Sequence, residues 1–190
     1  MFDRPDDFQL KEEYFRRHSE LHGFGHTYRV MCHVLAIGGE MNLIQEKRLA
    51  FCAAFVHDMS RKHDGFSLGH GPRAAKEKVS EFMPMFLRNG IGEEDRETIQ
   101  AAVANHSQYT EFKTDNPYFT VTALLKDADA LDRIRMGHGN LNRKYLRFEV
   151  SRNLVDYAAE LFFASHEIKD IALKEMMSFA EGIYKKPLLY

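Results

Sequence analysis

The stretch from Phe51 to Lys62, FCAAFVHDMSRK, runs apolar at helical spacing and then delivers a histidine and an aspartate side by side. An aspartate at the inner end of a buried helix is costly to leave uncompensated, because a carboxylate transfers badly out of water. Two arrangements would compensate it. One is a divalent cation, since imidazole and carboxylate together suit zinc, iron, manganese or similar ions. The other is a helix-end Asp58 hydrogen-bonded to a loop and paired with Arg61 or Lys62. The same tension recurs in ALLKDADALDRI, where Asp127, Asp129 and Asp132 interrupt a helix that Leu124, Leu125, Leu131 and Ile134 would bury. Asp129 lies close in angle to Leu125 and Asp132, so at least one carboxylate faces inward. Two buried acids in separate elements need cations between them, and a shared metal and a buried salt-bridge network are equal readings.

The chain holds ten histidines. His22 and His26 are four apart, a spacing that places two side chains on one helix face. Gly23 and Gly25 make that segment a poor helix, so joint binding is not expected, and His26, opening GHTYRV, is the better ligand candidate. His70 and His106 lie near helix boundaries in SLGHGPRAA and AVANHSQ. His18, His33, His63, His138 and His166 have no partner pattern and read as surface or ordinarily packed residues.

Helical periodicity dominates and strand alternation is scarce, which predicts an all-α helical bundle. The first amphipathic helix is expected over about residues 5–20, with Pro5 at its start, and HGFG then breaks the chain. A second helix, about 25–40, carries Val30, Val34 and Ile37 on one face and is weakened or ended by Gly38-Gly39. The third, about 45–60, presents Leu49, Cys52, Ala53 and Val56 inward. A polar loop, RKHDGFSLGHG, precedes a helix over about 72–89 that Pro84 must kink or restart. Helices follow at about 92–107, 120–135, 141–166 and 168–184.

At 190 residues, with 44% hydrophobic and 28% charged residues, the chain reads as one folded domain spanning 1–190. Its motif-bearing core would be about 20–135 and its C-terminal helices about 141–184. A formal net charge of −2 provides no global field for duplex nucleic acid. The start, MFDRPDDFQLKEE, is acidic and polar, no apolar run approaches about 18 residues, and Cys32 and Cys52 sit in apolar helical patterns as buried thiols. Together these predict a cytoplasmic protein without a membrane span.

Set in order, His26, His57-Asp58 and Asp129 resemble the H…HD…D pattern of the HD-domain superfamily of metal-dependent phosphohydrolases. GHTYRV, AAFVHDMSR and LLKDADALDRI look like that family's words over roughly residues 20–135. The resemblance implies an all-helical bundle in which His26, His57, Asp58 and Asp129 hold the first metal, with Asp127 as the alternative to Asp129. Some subfamilies add two histidines, and SLGHGPRAA and AVANHSQ are similar to those words. His70 and His106 would then complete a six-residue set, with Asp58 between two ions. The cofactor implied is one or two divalent ions, from Fe, Mn, Zn, Co, Ni or Mg.

HDMSR and the absence of a GYP word depart from the HD-GYP cyclic-dinucleotide phosphodiesterases, whose pattern is HDxGK. The activity implied is hydrolysis of a small phosphorylated substrate, most simply a nucleotide, with Asp58, Arg61 and Lys62 acting on substrate. Arg29 and Arg133 are further candidate phosphate contacts, and Asp127 or Asp132 a candidate ligand-orienting or proton-moving residue. The same six residues are compatible with a mixed-valent di-iron oxygenase of the superfamily, and a catalytically silent nucleotide-binding module is the third reading. A homo-oligomer is compatible with the C-terminal helices.

Overall fold

Among residues 5–137 and 139–185, which the computed structural model describes, the helical spacing becomes eight α-helices and short 3-10 turns, with no strand. The helices are α1 (Phe24–Glu40), α2 (Ile44–Val56), α3 (His70–Arg88), α4 (Arg96–His106), α5 (Phe119–Leu131), α6 (Glu149–Asn153), α7 (Val155–Ser165) and α8 (Leu173–Tyr184). His138 lies outside the described residues.

α1 is the central element, buried continuously from His26 to Gly38 and packed on α2, α5 and α8. Apolar residues on all its faces suit a helix surrounded by others rather than lying at a surface. α4 packs on α2, α3 and α5, so the ends of α1, α2, α3, α4 and α5 can meet around one point. One hydrophobic cluster joins Val34, Phe51, Val79, Val103 and Leu124 to Leu161 and Met176 of the C-terminal helices. Burying each such large side chain contributes about 1.5–3 kcal/mol. Cys32 and Cys52 are free and buried, and no helix among the described residues is long and apolar enough to cross a membrane.

Two element expectations are corrected, while the expected spans of about 25–40 and 72–89 hold within two residues. Residues 5–20 form no amphipathic α-helix; 3-10 turns at Pro5–Phe8 and Glu12–Tyr14 are separated by extended backbone at Lys11. Phe8 and Leu10, two apart, are both buried, so this segment is a strap fixed by side chains. The Phe8 ring meets Phe51, Phe55 and Phe86, and the Arg16 amide donates to the Met59 carbonyl. α1 ends at Glu40, one residue past Gly38-Gly39, and a Cβ on Gly38 would stand 2.4 Å from the Lys47 Cβ, so only a glycine lets α2 cross there. α3 runs through Pro84 without restarting; Phe82, Met83, Met85 and Phe86 are buried around the lost amide bond. The expected helix over 141–166 is instead α6 and α7, split at Leu154 and preceded by a 3-10 turn at Arg143–Tyr145.

His33 lies at the heart of α1, fully buried, its ring edge-on to Tyr157 at 5.6 Å and both ring nitrogens without a hydrogen-bond partner. Burial pushes its pKa from 6.5 down to about 4. The unfolded chain therefore takes up a proton at His33 below pH 6.5 that the folded chain refuses until about 4, and stability falls as pH drops through that window. Methionine at this position should flatten the fall, recovering about 2–3 kcal/mol between pH 7 and 4.5. Urea midpoints for both chains at the two pH values measure it, and equal losses would refute the assignment.

Candidate metal centre

The ends of the helices bring the chemistry together. His26 stands in the first turn of α1, His57 and Asp58 follow the last residue of α2, His70 opens α3, His106 closes α4, and Asp129 projects from α5. The HD pair is thus delivered by the turn after its helix and not by the helix. His57 Nδ1 lies 2.7 Å from the Ala54 carbonyl, His70 Nδ1 2.7 Å from that of Ser67 and His106 Nδ1 2.6 Å from that of Val103. Each partner is three residues earlier. Two are last-turn carbonyls, which a helix leaves without an amide partner.

A carbonyl only accepts, so each of these Nδ1 atoms carries a proton. His26 Nδ1 lies 2.8 Å from Asp132 Oδ2, which makes the same demand on the fourth ring. In the neutral imidazoles all four Nε2 atoms are then bare lone pairs, and they converge. His26 Nε2 is 3.2 Å from His57 Nε2, and His70 Nε2 is 2.9 Å from His106 Nε2. Asp58 lies between the pairs: Oδ2 is 3.5 Å from His26 and 3.8 Å from His57, while Oδ1 is 2.9 Å from His70 and 3.6 Å from His106. Donor atoms of His26, His57 and Asp58 lie within 4.8 Å of one another, as do those of Asp58, His70 and His106. Lone pairs facing lone pairs in a site this buried repel unless a proton or cation lies among them, and this donor set fits divalent transition ions.

Electrostatics follow burial. Desolvation pushes the His57 pKa down to about 3, which keeps it neutral with Nε2 unprotonated. Burial alone would raise Asp58, but His57 foremost, with His106, His26 and His70 close to its oxygens, carries it well below the ordinary carboxylate range. The Asp58 side chain is 3% exposed, whereas Asp129, whose Oδ1 is 3.4 Å from His26 Nε2, keeps 31% of its side chain exposed. Access to the cluster is therefore over Asp129.

A ring of partners surrounds these side chains. Asp132 is fully buried and receives Arg29 Nε at 2.5 Å and Arg29 Nη2 at 3.1 Å, with Arg135 Nη1 at 3.5 Å, while its Oδ2 holds His26. His22, whose pKa burial lowers to about 4, lies 3.2 Å from Asp64 Oδ1 through Nδ1, and that carboxylate also accepts from Ser19. A Cβ on Gly71 would stand 2.8 Å from the Val103 carbonyl, so this glycine lets α3 approach α4 and seats His70 beside His106. The buried Lys126 ammonium donates to the Gln108 and Thr110 carbonyls, holding the turn after His106.

Asp127 is brought elsewhere. Its carboxylate accepts from the Arg147 and Phe148 amides at 2.9 and 3.0 Å and from Arg147 Nη1 at 3.0 Å. Capturing those amides sets Phe148 extended and starts α6 only at Glu149, which is why no helix runs from 141. Replacing Asp127 by alanine should cost about 3–5 kcal/mol in urea unfolding, because a buried charge pair is broken, while bound metal per chain stays unchanged. Loss of metal in a chain that still folds would place Asp127 in the centre after all.

Arg61 does reach the cluster: Nη1 is 3.4 Å from Asp58 Oδ1 and 3.0 Å from His70 Nε2, and Nη2 donates to the Gly65 carbonyl. Lys62 is exposed, with no polar contact to the cluster among the described residues. Arg29 is buried on Asp132, and exposed Arg133 donates to the Asn140 carbonyl, so neither points a free guanidinium at the histidines. Arg135 and the Ser19–His22–Asp64 group were not legible as site partners; the third-residue-back carbonyls follow a spacing that sequence does show.

These features define an all-helical bundle whose helix ends gather four imidazoles around one carboxylate. The family model described as HD domain matches residues 23–134, and the chain belongs to that family of the metal-dependent phosphohydrolase superfamily. No curated protein and no solved structure matches the chain.

Proposed function

We propose that the chain hydrolyses a phosphoester or phosphoanhydride of a nucleotide or related small phosphorylated metabolite. His26, His57, Asp58, His70, His106 and Asp129 would hold one or two divalent ions from Fe, Mn, Zn, Co, Ni or Mg. The supporting observation is the pair of converging Nε2 couples on opposite oxygens of one buried carboxylate. Bound ions would supply Lewis acidity toward phosphoryl oxygens and an acidified water.

The residues of the chain divide the remaining work. Asp58 draws both couples into one centre, and Asp132 orients His26 through Nδ1. Arg61 sits where its planar guanidinium can take two phosphoryl oxygens, and exposed Lys62 on the same turn extends that positive charge to the rim. Asp129 faces the open side, and its carboxylate excludes anions other than those compensated by cations. The whole chain, 1–190, is assigned to one domain acting on a small molecule, without a nucleic-acid duplex as partner, and homo-oligomers are compatible with it. The two buried free thiols support a reducing compartment, the cytoplasm.

Anaerobic purification with metal quantification, followed by a phosphatase screen across nucleotides, cyclic nucleotides and dinucleoside polyphosphates, tests the reading. Phosphate release with manganese or cobalt, and no oxygen uptake by the iron form, is expected. Oxygen uptake with no phosphate release would transfer the six residues to the di-iron oxygenase reading, and a metal-free chain turning over nothing would make it a binding module.

A further inference from the structure

A cavity of about 740 Å³ has His26 in its wall. It is bounded by the strap around residues 12–25, the first turn of α1 and the corner at residues 162–170; His57, Asp58, His70, His106 and Asp129 do not line it. Its size is that of small-molecule sites, which run about 300–1,000 Å³. The inner wall combines Phe24 and Phe162 with Arg29 and Arg135, whose side chains are each 6% exposed.

The charge of that wall is unbalanced. Arg29 and Arg135 line the cavity while Asp132, the carboxylate both pair with, does not, so two guanidiniums and no buried acid face its interior. The first turn of α1 adds to it, since Gly23 at the helix start gives no side-chain cap and Gly23, Phe24 and Gly25 all line the cavity. The lining acids, Glu12, Glu20, Glu167 and Asp170, are all exposed and so lie at the rim. An excess cationic interior, aromatic walls and an acidic rim select one oxyanion on an apolar body and disfavour polyanions. The Arg29 guanidinium already lies 5.1 Å over the Phe162 ring, so cation and apolar surface are presented together.

We propose that this cavity binds an organic monoanion, a carboxylate, sulfonate or phosphodiester on an aromatic or apolar body. The oxyanion lies at Arg29 and Arg135 and the body against Phe24 and Phe162. The anion draws both guanidiniums away from Asp132, which holds His26 Nδ1, so occupancy is felt at the histidine cluster. The proposal stands apart from the hydrolase reading and does not need it.

The test uses 8-anilinonaphthalene-1-sulfonate as probe and uncharged N-phenyl-1-naphthylamine as its neutral body. The chain should bind one sulfonate probe per molecule, and the neutral body about tenfold or more weaker, as the loss of one charge-assisted contact predicts. Arg135→Gln should weaken the probe about tenfold at unchanged circular dichroism. Ile168→Trp, which fills the cavity without touching a charge, should abolish binding and keeps the proposal testable if Arg135→Gln does not fold. Equal affinity for charged and neutral bodies, or parent-like binding by Ile168→Trp, would overturn the site. Where phosphoester turnover is found, competitive inhibition by the probe identifies the cavity as the holder of a substrate's unreacting end; a change in kcat without competition identifies a separate ligand.

Discussion

Alanine in place of Asp58 is expected to leave a folded chain that retains no metal and loses phosphoester turnover by about 10³-fold or more, equivalent to about 4 kcal/mol of barrier. Both imidazole couples depend on this one group, Oδ2 facing His26 and His57 and Oδ1 facing His70 and His106, so no other single change opens both halves. Folding should survive for a separate reason. The Arg61 guanidinium left without its carboxylate is 13% exposed and can turn to solvent, so the metal-free variant should melt only modestly below the metal-free parent. Metal content by elemental analysis, melting in chelator and turnover of a phosphoester found in the screen measure the three parts. Retained metal together with retained turnover would mean that the centre is elsewhere.

Asp132→Ala should act on both stability and metal. It strips the carboxylate from two buried guanidiniums, Arg29 and Arg135, and breaking a buried charge network costs about 3–5 kcal/mol. It also releases the proton on His26 Nδ1 that aims Nε2 into the cluster, and loss of such an orienting partner weakens metal affinity about 10–100-fold. Burial opposes ionisation of Asp132, yet Arg29 foremost, with His26 and Arg135, holds its pKa far below the usual 3.8. Its contribution is therefore complete above about pH 4 and lost as pH falls below it, so the variant should show a flatter acid limb than its parent. Urea unfolding between pH 7 and 3 and metal titration near neutrality follow the two effects. A variant as stable as the parent, with the parent's metal affinity, would remove Asp132 from the account.

The two aspartates differ in how visible they are from sequence. Asp58 is conspicuous because it ends an apolar run, and the words around His26, His57-Asp58 and Asp129 resemble the pattern of the family whose model matches residues 23–134. Asp127, Asp129 and Asp132 share one helical word, and periodicity could not rank them. In space Asp127 turns to the Arg147 and Phe148 amides, Asp129 to His26 Nε2 at the open side, and Asp132 to His26 Nδ1 and two arginines. Arg29 reads as a free cation on a helix face and proves to be a buried partner of a residue 103 positions away.

The all-helical class, the span of α1 and the identity of the histidines and aspartates were written in local patterns, because apolar spacing and helix-end residues act over a few positions, whereas the burial of α1 on every side was not. Element ends followed tertiary contacts instead. Phe8 and Leu10 convert a helical-looking segment into a strap, and Asp127 delays α6 by taking its leading amides. Which carboxylate meets which imidazole was likewise decided only in three dimensions, where Gly38 and Gly71 set how closely α2 and α4 approach their neighbours. A side chain's neighbours along the chain determine what it can do chemically, whereas its hydrogen-bond partner and its distance from water arise from segments far away in sequence.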